Sequence, residues 1–157
     1  MVRHTTAGVA FMCNGFVAFH RQRRAAQGWQ RGGILFGCDY NPEQWPESVW
    51  NDDVVLMVQA GVDIVAINIF GWASIEPRPG EYDFDSLDAI IALLHKNGIR
   101  INLGTGTSSP PPWLSTKHPE ILPVMADGTT RWPGGRQAWC PSSPVFRKHA
   151  LRLASVV

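Results

Sequence analysis

The sequence predicts a protein of the α/β class, in which three strand–helix units build a parallel sheet. From residue 34 onward, short runs rich in β-branched residues alternate with longer segments of helical periodicity. Gly or Pro stands at most of the boundaries between them. The composition, 45% hydrophobic and 17% charged in 157 residues, is ordinary for a soluble globular domain.

The first unit is predicted to be a strand at Ile34–Cys38 and a helix from Pro46 to Ala60. Along this helix Trp50, Val54 and Met57 fall at i, i+4 and i+7, so they share one face. Gly61 then ends the helix.

The second unit begins with residues 62–70, a run of Val, Ile and Ala without clean alternation that is typical of a strand buried on both faces. Pro77, Pro79 and Gly80 make the next segment a turn. Asp85 is the predicted N-cap of a helix that stops at Gly98. The apolar face of this helix comprises Leu87, Ile90, Ile91 and Leu94.

The third unit has a strand at Ile99–Leu103, followed by a long loop from Gly104 to Pro141 that is rich in Pro, Gly, Ser and Trp. Ser143 and Pro144 are the predicted N-cap and first residue of a third helix. That helix is expected to be still running at Val157.

Right-handed crossovers make the three strands parallel, which suits a doubly wound sheet or a (β/α)8 barrel. The stretch Gly104–Ser109 resembles a phosphate loop, but three prolines follow, and we expect them to exclude the helix N-terminus that a pyrophosphate needs. The barrel is therefore preferred. A complete barrel takes about 250 residues, so the predicted fold is the first three βα units of an incomplete (β/α)8 TIM barrel. The long, aromatic and polar loops after its strands are expected to face one ligand pocket.

Residues 1–32 contain five arginines and no acid, whereas the rest of the chain carries a net charge of −4. We interpret them as a disordered N-terminal extension; a transit peptide or a start codon placed too early are the alternatives. The charge of residues 33–157 argues against a nucleic-acid partner, and no apolar run is long enough to span a membrane. The odd, widely spaced cysteines Cys13, Cys38 and Cys140 favour a reducing, cytoplasmic location.

Four motifs in order resemble glycoside hydrolase family 42, whose members are β-galactosidases: GCDYNPEQWP, IFGWASIEPRPGEYDF, TGTSSPPPWL and RQAWCPSSPVFR. The resemblance runs from about Gly33 to Val157. It implies a (β/α)8 catalytic domain, a trimer-forming domain, a small β domain and retaining hydrolysis of terminal β-D-galactosides. Retention needs two carboxyl groups about 5 Å apart. In the family these follow strands four and seven, so we expect no catalytic residue in this chain and no activity from it alone.

The resemblance assigns two site residues. Arg136 matches the arginine that contacts galactose hydroxyls, a task suited to the several fixed donors of a guanidinium; a surface Arg is the alternative. Cys140 matches a cysteine that binds structural zinc in some members, but only if further cysteines follow downstream; a small buried Cys is the alternative. No cofactor is required for the reaction.

Several other residues have both a functional and a structural interpretation. Glu76, Glu43 and Asp39 follow strands, and we expect them to hold loops rather than to catalyse. Trp72 and Trp113 are expected either to wall the pocket or to pack in the core.

Two further function hypotheses are a family 35-like barrel glycosidase and a sugar-binding remnant without activity. The NPEQWP and CPSSP motifs favour family 42 over family 35. A reading frame continuing past Val157 into a strand that ends in Asn-Glu would favour an enzyme over a remnant.

Overall fold

A three-stranded parallel sheet underlies the computed structural model, which describes residues 33–134 and 138–157. The strands are β1 (Gly37–Asp39), β2 (Ile64–Ile67) and β3 (Arg100–Leu103), and they lie in the order β1-β2-β3. Cys38 is opposite Val65, and Val65 is opposite Ile101. Residues 1–32, which the sequence analysis interprets as a disordered extension, lie outside the described residues, so that interpretation stays a prediction.

Three of the helices in the described residues follow the strands as the βα pattern predicts, and two shorter ones lie within segments predicted as loops. The helices are α1 (Glu47–Ala60), α2 (Trp72–Ile75), α3 (Asp85–Lys96), α4 (Pro112–Lys117) and α5 (Pro144–Ala154), with 3-10 turns at Pro42–Gln44 and Pro119–Ile121. None of these helices has the length and apolar character required to cross a bilayer.

The first core lies between the sheet and two helices. Val65 and Ile67 are two residues apart in β2, so they point to one face of the sheet, and both are fully buried. The same cluster contains residues of both α1 and α3, which therefore pack on that one face. These helix residues are Trp50, Val54, Ile90 and Leu94.

The second core lies among the loops beyond the strands. Trp72 of α2, Leu114 of α4 and Phe146 of α5 are buried together. Trp139 stacks on Phe146 with ring centroids 4.1 Å apart. The segment 104–141, predicted as one loop, thus contains helical structure with its own apolar packing.

The expectation that three prolines exclude a helix after Gly104–Ser109 is wrong. Pro112 is the first residue of α4, and Pro111 lies at its N-cap. Proline is tolerated there because the first residues of a helix have no intrahelical partner for their N–H groups.

The other helix boundaries test the capping predictions. The Ser143 hydroxyl accepts a hydrogen bond from the Phe146 N–H at 3.3 Å, which confirms the predicted cap. Asp85, by contrast, is the first residue of α3, and its N–H donates to Asp83 Oδ1 at 3.0 Å. The prediction that the last helix runs on is also wrong, since α5 ends at Ala154.

The first strand lies later in the chain than its apolar run suggested. Ile34 and Phe36 are 99% and 60% exposed, and pairing with β2 begins only at Gly37. A Cβ atom on Gly37 would lie 1.9 Å from the Ile64 carbonyl oxygen. The close approach of the two backbones therefore requires glycine at this position.

Candidate functional site

The carboxyl ends of β2 and β3 are tied together by Asn68. This side chain is buried, and its Nδ2 donates to the Gly104 carbonyl at 2.9 Å. Asn68 has φ 61°, a left-handed conformation that Asn adopts more readily than most residues. A Cβ on Gly71 would lie 1.9 Å from Asn68 Oδ1, so the second loop turns tightly around this amide.

The first loop is anchored to α1 rather than to the other loops. Tyr40 donates its hydroxyl to Asp53 Oδ2 at 2.9 Å, and the Trp50 indole donates to the Pro42 carbonyl at 3.1 Å. Burial raises the pKa of Tyr40, and the bond to Asp53 and its charge add to the effect, so the phenol stays protonated. Glu43 and Asp39 remain exposed beyond this anchor.

Glu76 is a fully buried carboxylate whose hydrogen-bond partners are all groups of the protein itself. Its Oε2 accepts from the Trp72 indole at 2.8 Å, and its Oε1 accepts from the Gly80 N–H at 2.8 Å and pairs with Arg152. The Trp113 indole donates to the Glu76 carbonyl at 2.9 Å. Glu76 therefore joins the second loop to α4 and α5, which is the geometry of a structural acid.

Arg152 is a residue that sequence reasoning missed. It lies in the last turn of α5, where a basic residue is ordinary because of the helix dipole. Its partner is 76 positions earlier. No local pattern connects two residues at that separation.

The two tryptophans with open interpretations belong to the protein interior. Trp72 is fully buried, with its ring centroid 6.0 Å from that of Phe146. Trp113 is half-buried against the same cluster. Of the two expectations for Trp72, pocket wall or core, the core is correct.

A cavity of about 310 Å³ lies beyond the carboxyl ends of the strands. This volume falls at the lower end of the range for ligand sites, about 300–1,000 Å³. The wall combines apolar side chains with two serine hydroxyls, and it contains no titratable side chain among the described residues. It is formed by Phe70, Ser109, Pro110, Ser115, Pro133, Gly134 and Ala138.

The second and third loops build this cavity without the first. The expectation that all three loops face one pocket therefore stays a prediction for the first loop. Pro42 and Glu43 of the first loop instead border a smaller cavity of about 90 Å³, together with Asn68 and Asp83.

The predicted sugar-binding residue Arg136 lies outside the described residues, so its role stays a prediction. Gly134 and Ala138, the nearest described residues on either side of it, both line the larger cavity.

Cys140 is a half-buried free thiol. Its N–H donates to the Ile121 carbonyl at 2.6 Å, and its carbonyl accepts from the Ser143 N–H at 3.0 Å. In residues 33–134 and 138–157, no group of three or more His, Cys, Asp or Glu side chains is arranged to hold a metal ion. A single thiol does not make a zinc site, so zinc ligation by Cys140 also stays a prediction.

Two histidines pack against each other, and one of them, His149, lies within range of the charges of Arg152 and Glu76. The ring centroids of His118 and His149 are 5.7 Å apart, and His118 Nδ1 lies 3.0 Å from Glu120 Oε1. Burial lowers the pKa of His149; the charges of Arg152, His118 and Lys148 lower it further, and that of Glu76 opposes them. Neither histidine lines the larger cavity.

Parallel βα units with a cavity beyond the carboxyl ends of their strands are the arrangement of α/β enzymes that carry their sites on loops. The model of glycoside hydrolase family 42, described as beta-galactosidase, matches residues 39–157. The chain belongs to this family.

Individual relatives agree with the family match. The chain is 55% identical over 120 residues to beta-galactosidase BbgII of Bifidobacterium bifidum, covering 76% of this chain and 17% of the relative. It is 53% identical over 125 residues to a beta-galactosidase of an Arthrobacter species, covering 80% and 18%. The chain thus spans less than a fifth of the length of these relatives.

Solved structures show the same relation. The beta-galactosidase of Bacillus circulans sp. alkalophilus matches with a TM-score of 0.73 at 42% identity, covering 76% of this chain and 18% of that one. The cold-adapted beta-galactosidase of a Rahnella species matches with a TM-score of 0.75 at 38% identity, covering 80% and 19%.

Proposed function

We propose that this chain supplies the first three βα units of a (β/α)8 barrel in a retaining β-galactosidase, which hydrolyses terminal non-reducing β-D-galactose residues. The observation that carries the proposal is the family match over residues 39–157. The short share of each relative that the chain covers supports its placement as one part of a larger catalytic domain. The match gives no support to the family 35-like alternative.

In this proposal the chain contributes sugar binding rather than bond cleavage. The cavity wall offers the Ser109 hydroxyl and apolar surface from Phe70 and Pro110, a mixture that suits the hydroxyls and C–H faces of a sugar. The Ser115 hydroxyl donates to the Pro112 carbonyl at 3.2 Å, so only its oxygen is left to accept a hydrogen bond. Arg136 would donate to the galactose hydroxyls from the stretch between Gly134 and Ala138. The two carboxyl groups of the retaining reaction would come from residues outside these 157.

Glu76 has a supporting role in the same proposal. Both of its oxygens are taken by Trp72, Gly80 and Arg152, so neither is left to protonate a leaving group or attack a sugar. By fixing α4, which carries Ser115, against the second loop, it holds two walls of the cavity at a set distance.

The remaining predictions about the whole protein join the proposal. The protein would be a cytoplasmic homotrimer acting on β-galactosides without a required cofactor. Cys140 would be one of four thiolate ligands of a structural zinc only where the other three cysteines are present.

The test compares the 157-residue chain with an extended version, in which the coding sequence continues through the reading frame that follows Val157. Both are assayed against a chromogenic β-galactoside. We expect turnover only by the extended version. Turnover by the 157 residues alone would contradict the proposal, and Glu76 and Glu43 would then be the first residues to substitute. Galactose binding without turnover by the extended version would favour the sugar-binding remnant.

A further inference from the structure

The tryptophans of the described residues divide into an inner and an outer group. The inner indoles donate hydrogen bonds within the protein: Trp50 to Pro42, Trp72 and Trp113 to Glu76, and Trp139 to Ser108. Trp45 and Trp132 are 59% and 68% exposed. Within residues 33–134 and 138–157, neither outer indole donates a hydrogen bond.

Trp132 differs from Trp45 in its position beside the larger cavity. It directly precedes Pro133 and Gly134, which form part of the cavity wall. No residue of the first loop, which carries Trp45, contributes to that wall. The exposed indole of Trp132, without a hydrogen bond in the described residues, is therefore adjacent in sequence to a residue that lines a cavity of ligand size.

The backbone that carries Trp132 is held by a short hairpin. Met125 N–H donates to the Thr129 carbonyl, and Arg131 N–H donates to the Pro123 carbonyl, both at 2.8 Å. Asp127 closes the turn by accepting from the Thr129 N–H at 2.9 Å. Pro123 follows Leu122, which is buried in the second core. The indole thus extends from an anchored segment, which lowers the entropy cost of presenting it to a ligand.

We propose that Trp132 is the stacking platform for the sugar ring to which the galactose is joined. This inference rests on the proposed function. A tryptophan presents a large rigid apolar face together with one N–H donor, and a sugar ring presents C–H groups on its faces and hydroxyls at its edge. The substrate class that this arrangement selects is β-galactosides of another sugar, rather than galactosides of small alcohols.

The experiment uses the extended version and compares lactose with methyl β-D-galactoside, following galactose release. Trp132→Ala is expected to lower kcat/KM for lactose by about tenfold, mostly through KM, since the lost contact is of the size of a stacked pair. Its kcat/KM for methyl β-D-galactoside should change less than about twofold. Trp132→Phe, which keeps a flat face, should restore most of the lactose activity.

Val124→Ala is the matched control, because Val124 is an exposed apolar residue of the same hairpin and lies outside the cavity wall. It should leave both substrates unaffected. An equal loss for both substrates in Trp132→Ala, or no loss for either, would overturn the platform while leaving the proposed function standing. Failure of the unaltered extended version to hydrolyse either galactoside would instead count against the proposed function.

Discussion

At the scale of single residues, the distinctive feature is a buried carboxylate with three partners, two from the second loop and one from α5. A buried charge is costly unless it is paired and hydrogen-bonded. Glu76 meets that condition through Arg152, the Trp72 indole and the Gly80 N–H. Both carboxylate oxygens of Glu76, an acid that the sequence places after a strand, are thus engaged by the fold.

Removing the cation from this cluster should be more harmful than neutralising the acid. Arg152→Met is expected to destabilise the extended version by about 2–4 kcal/mol, because it leaves Glu76 charged and buried. Arg152 is 40% exposed, so in Glu76→Gln it regains water and the loss should be smaller, about 1–2 kcal/mol. Urea unfolding of both variants and of the double variant measures the difference. If Glu76→Gln proved as damaging as Arg152→Met, charge pairing would not be the reason for the cluster.

His149 should make stability depend on pH. Its pKa in the folded protein is depressed by burial below the ordinary value of 6.5, so the unfolded chain binds a proton first as the pH falls. Stability is therefore expected to decrease as the pH drops below about 6.5. In His149→Phe this part of the decrease should disappear, because no imidazole remains at that position to be protonated.

The measurement is the urea midpoint of the extended version at pH 7.5 and pH 5.5. Arg152, His118, Lys148 and Glu76 are the charged or titratable groups around the ring, and all remain in the variant. His95→Gln, at the exposed end of α3, is the control. If the urea midpoint fell by the same amount between pH 7.5 and pH 5.5 in His149→Phe as in the unaltered protein, other groups would govern the acid sensitivity.

At the scale of elements, β1 owes its pairing to backbone fit more than to apolar side chains. β1 contains Gly37, Cys38 and Asp39, and all three are exposed. The two apolar residues Ile34 and Phe36 that mark the strand in the sequence lie before it and outside the core. Pairing with β2 is set by the approach of Gly37 to the Ile64 carbonyl.

Gly37→Ala is expected to separate β1 from β2. The new methyl group would lie 1.9 Å from the Ile64 carbonyl oxygen, and relieving that overlap requires the backbone to move. We expect a loss of about 2–3 kcal/mol in the extended version, of the size seen for overpacked sites. Gly33→Ala is the control, since a Cβ there meets nothing within 4 Å. Equal stabilities of the two variants in urea unfolding would disprove this account of the strand.

At the scale of the whole molecule, the described residues form a sheet with open edges. β1 and β3 each pair on one side only within residues 33–134 and 138–157. Both α1 and α3 cover one face of the sheet, and Asn102 and Leu103 of β3 are exposed. Unpaired strand edges and exposed apolar surface favour association with other chains.

The 157-residue chain is therefore expected to self-associate when it is produced alone. Size-exclusion chromatography should show large species for this chain and one discrete species for the extended version. A monomeric chain of 157 residues that unfolds cooperatively would contradict this expectation and the proposal that the barrel is completed by further residues.

The features that the sequence determined by itself are local ones. The bounds of α1, the Ser143 cap and the order of the βα units follow from periodicity, capping chemistry and turn residues that act within a few positions of the chain. The long loops that build the larger cavity were also recognisable, because polar and aromatic residues directly follow two of the strands.

Only the tertiary structure decided the pairings between distant residues. One such pairing is the ion pair between Glu76 and Arg152, and another is the burial of Trp72 against Phe146. The placement of β1 after its apolar run likewise depends on which segments meet in space. The difference between the exposed Trp132 and the inner tryptophans, whose indoles donate hydrogen bonds within the protein, has the same origin. Burial and backbone approach are set by the packing of whole elements, and no short stretch of sequence contains that information.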